Sequence, residues 1–399
     1  MKNHSEGNKT ALSSLVLSLI LLLFNSCSTL NPDDMQNSVD RIAARYVPDQ
    51  REGISDIRVI EGKNHELVIR GETDSPELKQ AVIDTLKKSG FIVRDSILVL
   101  PGVSLGEYRY GVVSLSVINL RREPGHDAEL VSQTLMGTPV RVLKNEDYWL
   151  LIQTPDNYIS WTEKSSVQLM SESDLKIWKD SPRLIYLNNS GWIYESPDEK
   201  GYVGDLVAGC IMKNAGSLKG FAKVILPDGR EGYVRSNTVK EFNKWKDNTI
   251  PHSESVYKVA STMMGVPYLW GGSSAKAVDC SGFVQSVYFM NGIILSRDAS
   301  LQAMHGLPVD ISKGWNDLKE GDLLFFGSVR NLKHRVTHVA VYKGDGEFIH
   351  SAGRVMINSL DSTRSNYSSY RKNSLLSARR IIGAQGSKGI VAVKEHSWY

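Results

Sequence analysis

The chain has 399 residues, well beyond what one hydrophobic core organises, so about three or four domains are expected. Its 47 lysines and arginines nearly balance 44 aspartates and glutamates, and no basic run carries interleaved aromatics, which excludes a nucleic-acid footprint. Three cysteines are too few for a disulfide scaffold.

Lys2 and Lys9 precede Ala11 to Phe24, an apolar run broken only by serines. It is too short to span a bilayer and suits a signal peptide over 1–27. Phe24, Asn25, Ser26 and Cys27 resemble a bacterial lipobox, with Phe24 in place of the usual leucine-like residue. The resemblance implies that Cys27 carries a lipid anchor, becomes the mature N-terminus and holds the protein to a membrane outside the cytoplasm. Secretion with a free Cys27 is the alternative. Polar Ser28 to Gln36 then reads as a tether.

A small α/β domain is expected over 37–110. Ile54 to Ile60 and Leu67 to Arg70 read as strands around a turn, and Ser75 with Pro76 make an N-cap and N1 pair for a helix through Ser89. Leu78, Ala81, Val82 and Leu86 keep helical spacing, after which Phe91 to Val93 and Ile97 to Leu100 return as strands. Nothing in it carries chemistry, so it reads as a spacer or docking domain. Between Val112 and Trp245 lies an internal repeat: Gly137 and Pro155 are matched by Gly209 and Pro227 at an offset of 72. Each copy has short β-rich runs between turns, and both resemble bacterial SH3-like domains, expected as small barrels over 111–170 and 182–243. Ser171 to Pro182 and Glu241 to Ser255 read as linkers. Cys210, in an apolar run, reads as a buried small residue.

The last domain, 252–390, holds the chemistry. A turn-rich segment at Gly271 to Ser274 runs into Asp279 and Cys280, followed by apolar Phe283, Val284, Val287 and Tyr288 at helical spacing. Cys280 is thus expected at a helix N-terminus, where unpaired N–H groups and the macrodipole favour thiolate. A nucleophile needs a base. Thr337 to Tyr342 and Glu347 to Ser351 read as a hairpin around Gly344, Asp345 and Gly346. A loop with an odd number of residues sets His338 directly opposite His350, so His338 takes the thiol proton and His350 fixes its tautomer. A zinc site from the same three side chains is the lesser reading, since no ligand pair is closely spaced. Trp161 and Trp270 read as core before cleft.

YLWGG and DCSGF, then GDLLFF at Gly321 to Phe326, THVAVY and FIHS, resemble the NlpC-type cysteine peptidases of bacterial cell walls. The resemblance implies an α+β chain: a papain-like catalytic domain preceded by two small SH3-like β-barrels and the small α/β N-terminal domain. It implies a triad of Cys280, His338 and His350, with Tyr268 lining the site and Asp279 and Ser281 beside the cysteine as substrate-binding candidates. The first barrel resembles one that closes the cleft in some family members and helps bind the free amine of an N-terminal L-alanine. Asp298 matches the carboxylate for that amine, and Glu129 and Tyr158 are its barrel partners. The implied reaction is hydrolysis of the γ-D-glutamyl to diamino acid bond of murein stem peptides, by a monomer, with no metal or other cofactor. Two alternatives remain at this point: a non-catalytic wall-binding lipoprotein, and an amidase acting where L-alanine joins the lactyl group.

Overall fold

A computed structural model describes residues 32–62 and 66–399. The expected signal segment and Cys27 lie outside them. The described residues form two compact units: 32–48 with those of Ser55–Leu98, and Asp49–Ile54 with Val99–Tyr399.

The first unit begins with helix α1 (Pro32–Tyr46) and continues with β1 (Ser55–Glu61), β2 (Glu66–Thr73), α2 (Pro76–Lys88) and β3 (Ile92–Val99), in a sheet of order β1-β2-β3. The Ser75 hydroxyl accepts the Leu78 N–H at 3.1 Å, so the α2 start is capped as its sequence predicts. The tether reading fails at Pro32. Asp33 and Asp34 complement the α1 dipole, and Met35, Val39 and Ala43 form a buried stripe against Leu78, Val82, Ile57 and Ile69. The two strands expected after α2 are the single strand β3.

In the second unit, β4 (Tyr110–Val113), β5 (Val117–Arg121), β6 (Leu130–Leu135), β7 (Pro139–Glu146), β8 (Trp149–Gln153), β9 (Ile159–Glu163) and β10 (Val167–Met170) form one sheet of order β10-β4-β7-β8-β9-β5-β6. After helix α3 (Glu172–Asp180), β11 (Arg183–Tyr186), β12 (Gly191–Tyr194), β13 (Tyr202–Leu206), β14 (Ile211–Leu218), β15 (Phe221–Ile225), β16 (Glu231–Arg235) and β17 (Val239–Glu241) form the second. Its order, read from the other end, is β17-β11-β14-β15-β16-β12-β13, strand for strand that of the first. From β6 and β13 onward, each strand of the second copy starts 72 residues after its counterpart. Neither is the closed barrel expected, because among the described residues the end strands do not pair with each other. The stretches expected as linkers are helices, namely α3, α4 (Phe242–Asn248) and α5 (Ser253–Thr262). Their polar faces hide short apolar ones: Ser171 closes a capping box on α3, which buries Leu175 and Trp178, and α4 buries Phe242 and Trp245.

The last domain continues with the two-residue strands β18 (Ser273–Ser274) and β19 (Ala277–Val278), helix α6 (Cys280–Phe289), β20 (Ile293–Leu295), α7 (Ala299–Gln302) and β21 (Leu307–Val309). Then come β22 (Leu323–Arg330), β23 (Lys333–Gly344), β24 (Glu347–Ala352), β25 (Arg354–Ser359), helix α8 (Ser369–Ser374), β26 (Leu375–Arg380) and β27 (Ile390–Ala392). Six of these strands make an antiparallel sheet, β21-β26-β22-β23-β24-β25. Phe283, Val284 and Val287 of α6 pack on Leu323, Phe325, Val339, Val341 and Ile349 of that sheet, each with essentially no exposure. Side chains of this kind stabilise by about 1.5–3 kcal/mol each when fully buried. This packing fixes the first turn of α6 over β23 and β24.

Candidate active site

The first turn of α6 is held from three directions. Asp279 is its N-cap: Oδ1 accepts the Gly282 N–H at 2.7 Å and Oδ2 accepts the Gly271 N–H at 3.0 Å. Arg297 closes on the same carboxylate with two nitrogens, at 2.6 and 3.1 Å, and also donates to the hydroxyls of Ser281 and Ser132. Both oxygens of Asp279 and the Ser281 hydroxyl are thus engaged within the protein and position the turn. A Cβ at Gly282 would lie 2.0 Å from the Gly272 carbonyl oxygen, so the glycines of the two motifs let helix and loop touch. Gly271, at φ +78°, similarly meets the Leu130 carbonyl oxygen of β6.

Cys280 follows the cap as the first helical residue, and only 7% of it is exposed. Burial, reinforced by the Asp279 carboxylate, pushes its thiol up to about 11, although N–H groups of Val339 and Ser281 pull the other way. The helix end is worth about 0.3–1 kcal/mol, too little to reverse this. Burial thus outweighs the pull of the helix end towards thiolate, and the sulfur needs a base to take its proton.

His338 and His350 meet, though not in the register expected. Val341 faces Ile349 and Tyr342 faces Phe348, which sets Ala340, not His338, level with His350. The loop holds two residues, Asp345 and Gly346, both at positive φ, as a primed hairpin turn requires. A two-residue loop alone would put the histidines on opposite faces. The irregularity between Tyr342 and Gly344 inserts one residue and returns them to the same face as diagonal neighbours. Their rings meet edge-on, His338 Nε2 to His350 Nδ1 at 2.7 Å.

The line continues onto β25, where His350 Nε2 lies 2.9 Å from Asn358 Oδ1. Asn358 in turn donates from Nδ2 to the Asn366 carbonyl oxygen at 3.1 Å, so its oxygen end faces the imidazole. That orientation makes His350 Nε2 the donor, His350 Nδ1 an acceptor and His338 Nε2 the donor to it, leaving Nδ1 of His338 with a bare lone pair. Burial drives His338 well below the ordinary imidazole range, aided by Arg371 and His350, and holds His350 down to about 4. Both rings are neutral at physiological pH. Nothing in its local sequence marks Asn358; only its place two residues beyond the partner of His350 across the β24–β25 ladder could have suggested it.

A cleft of about 450 Å³ opens over Cys280, lined by Tyr268, Asp279, Ser281 and Asp298 from this domain and by Glu129 and Tyr158 from the first SH3-like sheet. All seven predicted residues other than the histidines and Cys27 therefore meet in one place. Burial, with Cys280 adding to it, pushes Tyr268 up to about 12. Asp298 neither caps α7 nor pairs with Arg297; its Oδ2 is 2.7 Å from Arg51, which also grips Asp49. Glu129 bonds Arg122 at 2.7 Å and Trp270 Nε1 at 2.9 Å, and both lower its pKa. Trp270 thus lines the cleft, while Trp161 packs against the Leu100, Leu143 and Leu151 core. Arg51, Arg122 and Arg297 are added around the site by the structure: Arg122 and Arg297 lie in stretches that resemble the family, whereas nothing in its local sequence marks Arg51.

Residues 265–380 match the NlpC/P60 family, and residues 120–167 match the bacterial dipeptidyl-peptidase Sh3 domain. The last domain of this chain is an NlpC/P60 domain. The γ-D-glutamyl-L-lysine dipeptidyl-peptidase of Bacillus cereus is 28% identical over 231 residues, 56% of this chain and 67% of that one. Dipeptidyl-peptidase 6 of Lysinibacillus sphaericus is 29% identical over 263 residues, 63% and 91% of the two chains. A crystal structure of an NlpC/P60 family protein from Bacillus cereus superimposes with a TM-score of 0.58 at 22% identity, covering 68% of this chain and 99% of that one, and so shares the fold. The NlpC/P60 match spans Cys280, both histidines and Asn358, and the Sh3 match includes Glu129 and Tyr158.

Proposed function

We propose that this chain hydrolyses the γ-D-glutamyl to diamino acid bond of murein stem peptides, with Cys280 as nucleophile, His338 as base and His350 as the group that orients it. The observation that carries this reading is the hydrogen-bonded line Asn358, His350, His338 together with a cleft-lining cysteine at a helix N-terminus whose thiol meets the backbone N–H of Val339, the residue after His338. The named activity of the Bacillus cereus relative supplies the bond. Nδ1 of His338 takes the thiol proton as Sγ bonds to the γ-carbonyl carbon, and the same proton passes to the departing amine as the C–N bond breaks. Water then hydrolyses the thioester with His338 again as base. As the first residue of α6, Cys280 has an amide N–H with no intrahelical acceptor, and it suits the developing oxyanion.

The charged rim supports a preference for stem peptides with a free N-terminal L-alanine. Asp298 Oδ1, Glu129 and the Tyr158 hydroxyl offer acceptors for an ammonium, with Arg51 and Arg122 holding the carboxylates in place. Action outside the cytoplasm follows from the cell-wall chemistry of the family. A lipid on Cys27 would fix the enzyme to a membrane; among the described residues no helix is long and apolar enough to cross one. Cys27→Ala is expected to move the protein from membrane to soluble fractions.

Mass spectrometry of products from a defined muropeptide tests the bond. Release of L-Ala-γ-D-Glu supports the reading, while an intact stem peptide freed from its lactyl group, or no product at all, would overturn it.

A further inference from the structure

Of the arginines around Cys280, Arg51, Arg122 and Arg297 come with the carboxylates of Asp298, Glu129 and Asp279, while Arg335 lines the cleft exposed to water. Arg371, on α8, has neither a carboxylate nor full exposure. Its guanidinium lies 5.5 Å from the centroid of Phe326 and 5.3 Å from that of Tyr370, half-buried between two rings, and among the described residues no carboxylate or hydrogen-bond acceptor engages it. Contacts with ring faces offset only part of the desolvation of a cation in such a place. The Phe326 ring is in turn 5.8 Å from that of His338, so Arg371 belongs to the histidine side of Cys280.

That side has a chemical meaning. The imidazole that receives the thiol proton must hand it to the departing amine, so the leaving half of the substrate lies over the histidine. The carboxylates suited to an ammonium lie on the rim shared with the first SH3-like sheet. A peptide that is cationic at its N-terminus and anionic on its leaving half would match both ends.

We propose that Arg371 binds a carboxylate on the leaving half of the substrate. The inference rests on the γ-D-glutamyl peptidase reading above. Two sources share this chemistry: a carboxylate at the end of the diamino acid side chain, as in diaminopimelate but not lysine, and the C-terminal carboxylate of the peptide.

The test uses the full chain and four peptides beginning L-Ala-γ-D-Glu, followed by diaminopimelate or lysine, each with a free or amidated C-terminus. The pair that differs in the recognised carboxylate is expected to differ roughly tenfold to hundredfold in kcat/KM, mostly through KM. The two members converge in Arg371→Met, and Arg371→Lys restores part of the difference. The side-chain source appears in the diaminopimelate–lysine pair, the terminal source in the free–amidated pair. Cleavage of all four peptides by wild type at equal efficiency overturns the proposal while leaving the peptidase reading intact; cleavage of none overturns both. An Arg371→Met enzyme that melts like wild type, keeps the peptide difference and shows a shifted pH–rate profile would assign Arg371 to the histidines instead, and the proposal falls.

Discussion

His338 and His350 are 6% and 1% exposed, whereas Arg51 and Asp298 keep about a third of their side chains in water, at 34% and 30%. These two regions flank the same cysteine and obey different electrostatics. Under Cys280, exclusion of water strips charge from the groups themselves: the thiol is protonated, and two neutral imidazoles and an amide share one fixed line of hydrogen bonds. At the rim, charges persist because each carboxylate has a guanidinium beside it, and water and salt screen whatever remains. Substitutions below should therefore act on kcat, and those at the rim mainly on KM.

The largest effect tests the lower region. Cys280→Ser and His338→Ala are each expected to reduce kcat by on the order of a thousandfold or more with thermal melts preserved, since each removes a partner in thiol attack. Residual turnover within about tenfold of wild type in either variant would break the assignment.

Neutral buried imidazoles also make stability depend on pH. His350 holds its proton at about 4 in the fold, against 6.5 for an unperturbed imidazole, because burial disfavours the charged ring. Between those values the unfolded chain binds the proton and the folded one does not, so stability is complete above about 6.5 and falls as pH drops towards 4. The contribution of this one group is about 3 kcal/mol. Denaturant melts across that window should show the slope, and His350→Gln should flatten it; an equal slope in the variant would mean that His350 is not the neutral group.

A smaller effect is expected along the line itself. His350→Ala and Asn358→Ala should each lower kcat by about tenfold to a hundredfold, because they loosen the His338 tautomer without removing it. If Asn358→Ala has full activity, the line ends at His350.

The same contrast separates what the sequence makes legible from what it does not. The floor is written locally: DCSGF sets the cap, the cysteine and the glycine that meets Gly272, and the hairpin carries both histidines, so helix periodicity and strand parity bring them together. Register was the exception, since the inserted residue near Lys343 trades a two-residue turn for one face and no residue type announces it. At the rim, Glu129, Tyr158 and Asp298 were found by resemblance, but their partners were not. Arg51 arrives from a short segment whose chain neighbours fold into the other unit, and Arg297 reaches Asp279 across eighteen residues. Long-range ion pairs of this kind leave no period or motif. The open sheets and the helices within apparent linkers were hidden for a similar reason: two or three buried side chains suffice to dock a short helix whose composition is otherwise polar.

The last and smallest effect concerns the amine. Arg51 already occupies Oδ2 of Asp298, and it keeps Asp49 as a second partner if Asp298 is lost, so truncation strands no buried charge. The penalty should therefore fall below that of breaking a fully buried pair: Asp298→Ala is expected to raise KM for a free tetrapeptide about tenfold, shrinking as salt is added. Acetylating the peptide amine should cost wild type a similar factor and the variant almost nothing. Arg51→Met sharpens the test, because an unshared carboxylate should discriminate more strongly between free and acetylated amines. Equal acetylation penalties in wild type and Asp298→Ala would remove Asp298 from amine recognition, and a lower penalty in Arg51→Met would mean that the arginine positions the carboxylate more than it competes for it.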